Sequence, residues 1–300
     1  MFKRWFRKKD LPQTSQLTTI HRDGTQRQVI HETSDLIEAP NWTPDGQWLV
    51  FNGTGSLFRI RADGSGGPVR IPTGAIEGVS NDHVVSPDGQ TIYFTAKARI
   101  YAVPMQGGEA RLVSNTAAHG TTMDCYLHGI SADGHTLCYV GVASGPHGAT
   151  QAIYTLPATG GLDTSLTPPL AAVDGPELSP DGQWVYFNAA LNARTTGHAQ
   201  IFRKRCDDTH IEQLTHDGRV NWFPHLSPDG RWVMYLSYPE KTQGHPANVE
   251  VALRIIPADG GDPMDVVRLR GGQGTCNVNG WAPDSQRLAY VAYPVRREGS

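Results

Sequence analysis

A four-residue turn recurs along the chain and sets the scale of anything it can fold into. It reads TPDG at 43–46, SPDG at 86–89, SADG at 131–134, SPDG at 179–182 and 227–230, and APDS at 282–285. The turn aspartates Asp45, Asp88, Asp133, Asp181, Asp229 and Asp284 follow one another at intervals of 43, 45, 48, 48 and 55 residues. Proline at the second position presets φ, and glycine at the fourth lets the chain reverse. An apolar residue precedes each turn (Trp42, Val85, Ile130, Leu178, Leu226, Trp281), and an alternating strand such as QWLVF, QTIYF or QWVYF follows. A second hairpin comes next, as in IYAVPMQGGEARLVS at 100–114. Four short strands at a period in the forties make a propeller blade. The fold class is therefore all-β, and the architecture a six-bladed β-propeller. Asp229 and its equivalents are placed to bond local backbone, not to catalyse.

The blade count is completed by the two ends. After the sixth turn only QRLAYVAYP remains before the tail, while an orphan hairpin, LTTIHRDGTQRQVIHET, stands at 17–33 ahead of the first turn. The N-terminal hairpin is expected to close the last blade, which removes two open sheet edges. The organisation expected is a flexible basic tip at 1–15, a single propeller over 16–293 and a tail at 294–300.

Charge and cysteine usage narrow the partners. A net charge of −3 and a pI near 6.4 argue against nucleic acid. Cys125, Cys138, Cys206 and Cys276 form no CxxC motif and read as reduced small hydrophobes, the usage of a cytoplasmic chain. The start, MFKRWFRKKDLPQ, lacks the apolar run of a secretory signal, and no segment is long enough to span a membrane. Residues 1–9, with five cations around Phe2, Trp5 and Phe6, offer at most a contact to an anionic membrane surface. There is no G-x-S-x-G elbow, P-loop or dinucleotide fingerprint, and GGQG at 271–274 reads as a blade junction.

The repeats resemble the TolB-type, WD-like propeller repeat over about residues 17–293. DGPELSPDGQWVYFN, NWFPHLSPDG, GHPANVEVALRIIP and GGQGTCNVNGWAPDS are more narrowly similar to a bacterial TolB-like subgroup without the TolB N-terminal domain. The resemblance implies the six-bladed fold. TolB itself is periplasmic, has an additional α/β domain and binds peptidoglycan-associated lipoprotein, features that the start and length of this chain do not match. Ala132 in place of proline and Ser285 in place of glycine bear on turn detail alone.

In a propeller, the loops leading into the innermost strands share a face with those joining second and third strands. Ligands gather there, over the channel. Counting back one residue from each apolar position gives Asn41, Val84, Gly129, Glu177, His225 and Gly280, and counting back two gives Pro40, His83, His128, Pro176, Pro224 and Asn279. Eight of the 12 histidines fall on elements assigned to this face: His83, His119, His128, His147, His198, His216, His225 and His245. Any one of them is most simply a loop residue satisfied by a carbonyl; the cluster is a candidate site. Two chemistries fit. One is a divalent metal (Mn, Zn, Ni or Fe) on His83, His128, Glu177 and His225. A resemblance to oligogalacturonate lyase would make that site a uronate-type lyase, with Arg194 or a histidine as base or carboxylate clamp. The other is recognition of a small polar, carbohydrate-derived ligand or a protein partner. Tyr126 and Trp222 would stack, Asn41, Glu177, Asn221, Gln273 and Asn277 would hydrogen-bond, and Arg194 and His245 would reach in from loops. Recognition is the leading reading; the lyase is the alternative, and a pure protein-interaction scaffold the second. No catalytic residue is assigned.

Overall fold

The computed structural model describes residues 13–114, 123–146, 148–191, 195 and 197–295. Residues 1–12 of the basic tip, with the membrane-contact residues 1–9, together with Arg194, His119 and His147, lie outside the described residues. Among the described residues there is no α-helix, and so none long and apolar enough to cross a membrane. Five sheets hold four strands each and a sixth holds three.

The six blades follow from the turn grammar. In blades 1 to 5 the innermost strands are Ile37–Trp42, Val79–Val85, Met123–Ile130, Asp174–Leu178 and Val220–Leu226. After each, the turn hydroxyl donates to the turn aspartate, as Ser227 Oγ does to Asp229 Oδ1 at 2.5 Å. The aspartate also accepts the N–H of Arg231 at 3.1 Å, and the hydroxyl accepts that of Trp232 at 3.0 Å. Hydroxyl donation holds the carboxyls of Asp45, Asp88, Asp133 and Asp181 below the usual carboxylate range. These aspartates are occupied by their own turns, as their sequence position implied.

Closure is as the orphan hairpin predicted. Ser15–His21 pairs with Arg287–Ala292 on one side and Gln28–Thr33 on the other. Pairing runs on past these strands, since Gln13 bridges Val295. The innermost strand of blade 6 is reduced to one bridge, Trp281 to Leu288.

Six apolar clusters fill the six joints between blades. Val50, Leu57 and Ile71 of blade 1, for example, pack on Val85, Ile92 and Phe94 of blade 2. Blade 6 packs on blade 1 through Leu17 and Val291 against Trp42 and Phe51. Each sheet is buried on both faces by its neighbours, and the innermost strands of the blades line the shared channel.

Candidate functional site at the channel

Each innermost strand in blades 1 to 5 breaks register near its middle: at Glu38/Asn41, Val79/His83, Leu127/Gly129, Asp174/Glu177 and Trp222/His225. A bulge re-aims the side chains on its two sides. Three of these bulges carry a proline, Pro40, Pro176 and Pro224, which has no N–H for the ladder. Each proline follows a residue of positive φ: Ala39 (54°), Gly175 (56°) and Phe223 (57°). Phe223 is the outlier, a buried aromatic residue in a conformation that costs about 1–3 kcal/mol. Its N–H is held by Asn188 Oδ1 at 3.0 Å.

The bulges divide the sequence-predicted residues into two groups. On the turn side, residues face the blade joints. Asn41 Oδ1 accepts the N–H of Val85 at 2.8 Å, and its Nδ2 donates to Asn279 O at 2.7 Å. Glu177 Oε1 accepts the N–H of Leu226 at 3.1 Å and Asn279 Nδ2 at 2.6 Å, while Oε2 lies 2.9 Å from His225 Nδ1. The other nitrogen of His225 meets Cys276 O at 3.0 Å, and its own carbonyl accepts Trp281 Nε1. His225 is 0% exposed. These residues tie one blade to the next.

His83 is also fully buried and lies against Val50 in the joint of blades 1 and 2, where burial takes its pKa down to about 4. Asn221 bonds Gln200 and Asp217, and accepts from Ser237 at 2.7 Å, in a joint network. His198 meets the carbonyl of Arg219 at 3.0 Å, and His216 is exposed. The expected metal set therefore does not assemble: His83 and the Glu177–His225 pair sit in different joints, apart from His128 in the channel. Among the described residues, no group of three or more His, Cys, Asp or Glu is arranged to hold a metal ion. The physical reason is that the turn-preceding N–H needs an acceptor from the neighbouring blade, and Asn41 and Glu177 supply it.

On the far side of the bulges the remaining residues converge. His128 is 3% exposed and reaches two other blades: Nε2 lies 2.8 Å from Asp174 Oδ1, and Nδ1 lies 3.2 Å from Asn277 O. Both partners can only accept, so both ring nitrogens must donate, and the ring is an imidazolium. Burial opposes that charge, but the Asp174 carboxylate, with Asp82 and the Asn277 carbonyl, outweighs it and carries the pKa up to about 9. Asp174 is partly buried, which works against its own charge, yet His128 holds its carboxyl below the usual range. Burial pushes nearby Asp82 up to about 6, although the His128 charge and a 2.8 Å bond from Ser80 Oγ counter it. His245, 20% exposed, comes in from the loop after blade 5's second strand, with Nε2 3.7 Å from Asp174 Oδ2. Burial lowers its pKa.

Phe223 and Trp222 form an aromatic floor. Phe223 stacks on His128 with centroids 6.2 Å apart and meets His245 edge-on at 5.1 Å, and Trp222 meets His245 at 4.6 Å. GGQG supplies the wall. Gly272 (φ 110°) leaves no room for a side chain, since a Cβ would fall 2.0 Å from Pro246 O. This close approach brings Gln273 Oε1 to 2.6 Å from His245 Nδ1. The backbone N–H groups of Gly272 and Gly274 are taken by Thr275 Oγ1 and Asn277 Oδ1. Tyr126 is half-buried on the innermost strand of blade 3.

His128, Trp222, His245, Gln273 and Asn277 are thus brought together as expected of a site, while Asn41, His83, Glu177, Asn221 and His225 are not. Asp174 and Asp82 were missed. The signal for Asp174 is positional: Asp174, Trp222 and Asn277 all stand four residues before the apolar turn-preceding residue, whereas Asp82 stands three before it. Burial pushes the thiols of Cys125 and Cys276 up to about 12, which keeps both from acting as thiolates.

No family model matches the chain. An uncharacterized protein of Agrobacterium fabrum is 36% identical over 270 residues, covering 88% of this chain and 87% of the relative. A solved structure described as TolB from Agrobacterium tumefaciens superposes with a TM-score of 0.85 at 35% identity, over 94% of this chain and 99% of the other. An oligogalacturonate lyase in complex with manganese superposes with a TM-score of 0.57 at 13% identity, over 85% of this chain and 74% of the lyase, a likeness of fold alone.

Proposed function

This chain belongs to the TolB-like family of β-propellers, and on that footing we propose that it is a binding protein for a small polar, carbohydrate-derived ligand held at the channel. One observation carries the reading: His128 of blade 3 and His245 of blade 5 converge on Asp174 of blade 4 over the floor made by Trp222 and Phe223, with the Asn277 carbonyl of blade 6 behind His128. A concavity lined by aromatic rings with a few fixed polar groups is the form that small-molecule sites take. The strained backbone at Phe223 supports it, because strain of this kind gathers at ligand sites. Four free thiols, three of them buried, suit the reducing cytoplasm we propose as its compartment. A metal-dependent lyase has less support, since its ligand set is split between two blade joints and the channel.

The test is a thermal-shift screen of the full chain against mono- and disaccharides and their acids. A ligand present at about 100 times its Kd should add about 2.7 kcal/mol of stability. The shift should fall by about half in Asp174→Asn, as a tenfold weaker Kd implies, and stay undiminished in Asn41→Asp, a joint substitution. If no compound shifts the melt, or the shift is undiminished in Asp174→Asn, the channel is not the site, and a protein-interaction scaffold becomes the better account.

A further inference from the structure

Hydrogen-bond directions around His245 can be fixed one group at a time. The N–H of Gly274 donates to Asn277 Oδ1 at 2.8 Å, so the other amide atom of Asn277 is the donor. That Nδ2 reaches Gln273 Oε1 at 3.2 Å, which identifies this Gln273 atom as an acceptor. His245 Nδ1 faces the same oxygen at 2.6 Å and must carry a proton. In the neutral ring favoured by burial, Nε2 is then a lone pair. It points toward Asp174 Oδ2 at 3.7 Å, beyond hydrogen-bond reach. Two acceptors therefore face each other across the neutral ring, a pair that a donor placed between them satisfies.

A second group calls for a partner of the opposite kind. Trp222 is 95% buried (5% exposed) and packs against His245, yet its indole Nε1–H has no acceptor among the described residues. Such a donor is costly to leave unpaired. Formal charge in the site is largely spent within it: the His128 imidazolium is matched by Asp174 at 2.8 Å. Asp82, which also acts on His128, and Glu38, which acts on Asp82, add carboxyl groups and leave no positive charge over for an anion.

We propose that the site takes an uncharged polyhydroxy ligand, a neutral sugar, which sets one hydroxyl proton between His245 Nε2 and Asp174 Oδ2 and one oxygen at the indole N–H of Trp222. This deepens, and rests on, the binding reading above. A hydroxyl is both donor and acceptor, so adjacent hydroxyls of one sugar meet both demands. A uronate would bring a second anion to Asp174, and an ammonium would compete with His128 for it.

Isothermal titration calorimetry of the full chain tests this with glucose, galactose and mannose, each beside its amino sugar and its uronic acid. The expected result is one neutral sugar that binds about tenfold or more tightly than its charged counterparts. Asp174→Asn should weaken it about tenfold, the worth of one good hydrogen bond to a charged group. Trp222→Phe, which leaves the charges in place, should also weaken it if Asp174→Asn folds poorly. An amino sugar or uronic acid that binds more tightly than its neutral parent overturns the inference and leaves channel binding intact. Heat from none of these sugars overturns the carbohydrate reading together with it.

Discussion

Raising the pH tests the channel without any ligand, because His128 couples its protonation to the fold. The ring is 3% exposed, donates toward Asp174 Oδ1 and Asn277 O, and has its pKa carried up to about 9 against burial by Asp174 and Asp82. In the unfolded chain the same group returns to its ordinary value of 6.5. A folded pKa above the unfolded one means that folding favours the proton. The stabilisation is complete below about pH 6.5 and is lost as the pH rises through about 9. At about 1.4 kcal/mol per unit, that interval corresponds to about 3 kcal/mol.

The assay is urea unfolding followed by tryptophan fluorescence, at intervals from about pH 6 to about pH 10, on the wild type and His128→Gln. Wild-type stability should fall by about 3 kcal/mol more than that of the variant across this range. Asp82 does not blur the window. Its carboxyl, pushed up by burial to about 6, contributes stability below 3.8 that is gone once the pH has passed about 6. His83 acts in the opposite sense and lower still: with a folded value of about 4, its contribution is present above 6.5 and lost as the pH falls through 4. Two parallel pH profiles for wild type and His128→Gln would refute the imidazolium–carboxylate pair.

Two further outcomes separate the joints from the channel and the turns from both. Glu177→Ala strips the buried Leu226 N–H, His225 and Asn279 of their shared partner, and should cost about 3–5 kcal/mol in urea unfolding while leaving any channel ligand bound by the folded fraction. Lys97 and Ala98 both adopt positive φ (49° and 59°) at the hairpin tip of blade 2, so Lys97→Asn with Ala98→Gly should raise stability by about 0.5–1 kcal/mol. An unchanged urea midpoint would count against a strained turn there.

Blade number, closure and turn chemistry were legible in the sequence because they repeat. Six turns at a near-constant interval average out local departures such as Ser285, which stands at the glycine position with φ 57° and receives the N–H of Asp229 through its hydroxyl. The site does not repeat, and so offers no such averaging. His128, Trp222, His245, Gln273 and Asn277 were found by residue type and loop placement. Asp174, to which His128 and His245 both turn, was hidden because the count back from each turn stopped at two residues.

That count fails for a reason the sequence does carry. Strand alternation predicts that residues one and three before the apolar turn-preceding residue share a face. A proline two residues before that position, as in Ala39-Pro40-Asn41, Gly175-Pro176-Glu177 and Phe223-Pro224-His225, interrupts the ladder and inserts the bulge. Beyond it the face changes. The residue next to the apolar position then belongs to the joint, as Asn41 and Glu177 do through Val85 and Leu226, and the channel residue is the one four back. Applied to blades 1, 4 and 5, which carry that proline, the rule selects Glu38, Asp174 and Trp222, and blade 6, with Asn279 in place of the proline, has Asn277 at the same count. A polar residue just before a propeller turn is therefore better read first as the acceptor its neighbouring blade requires.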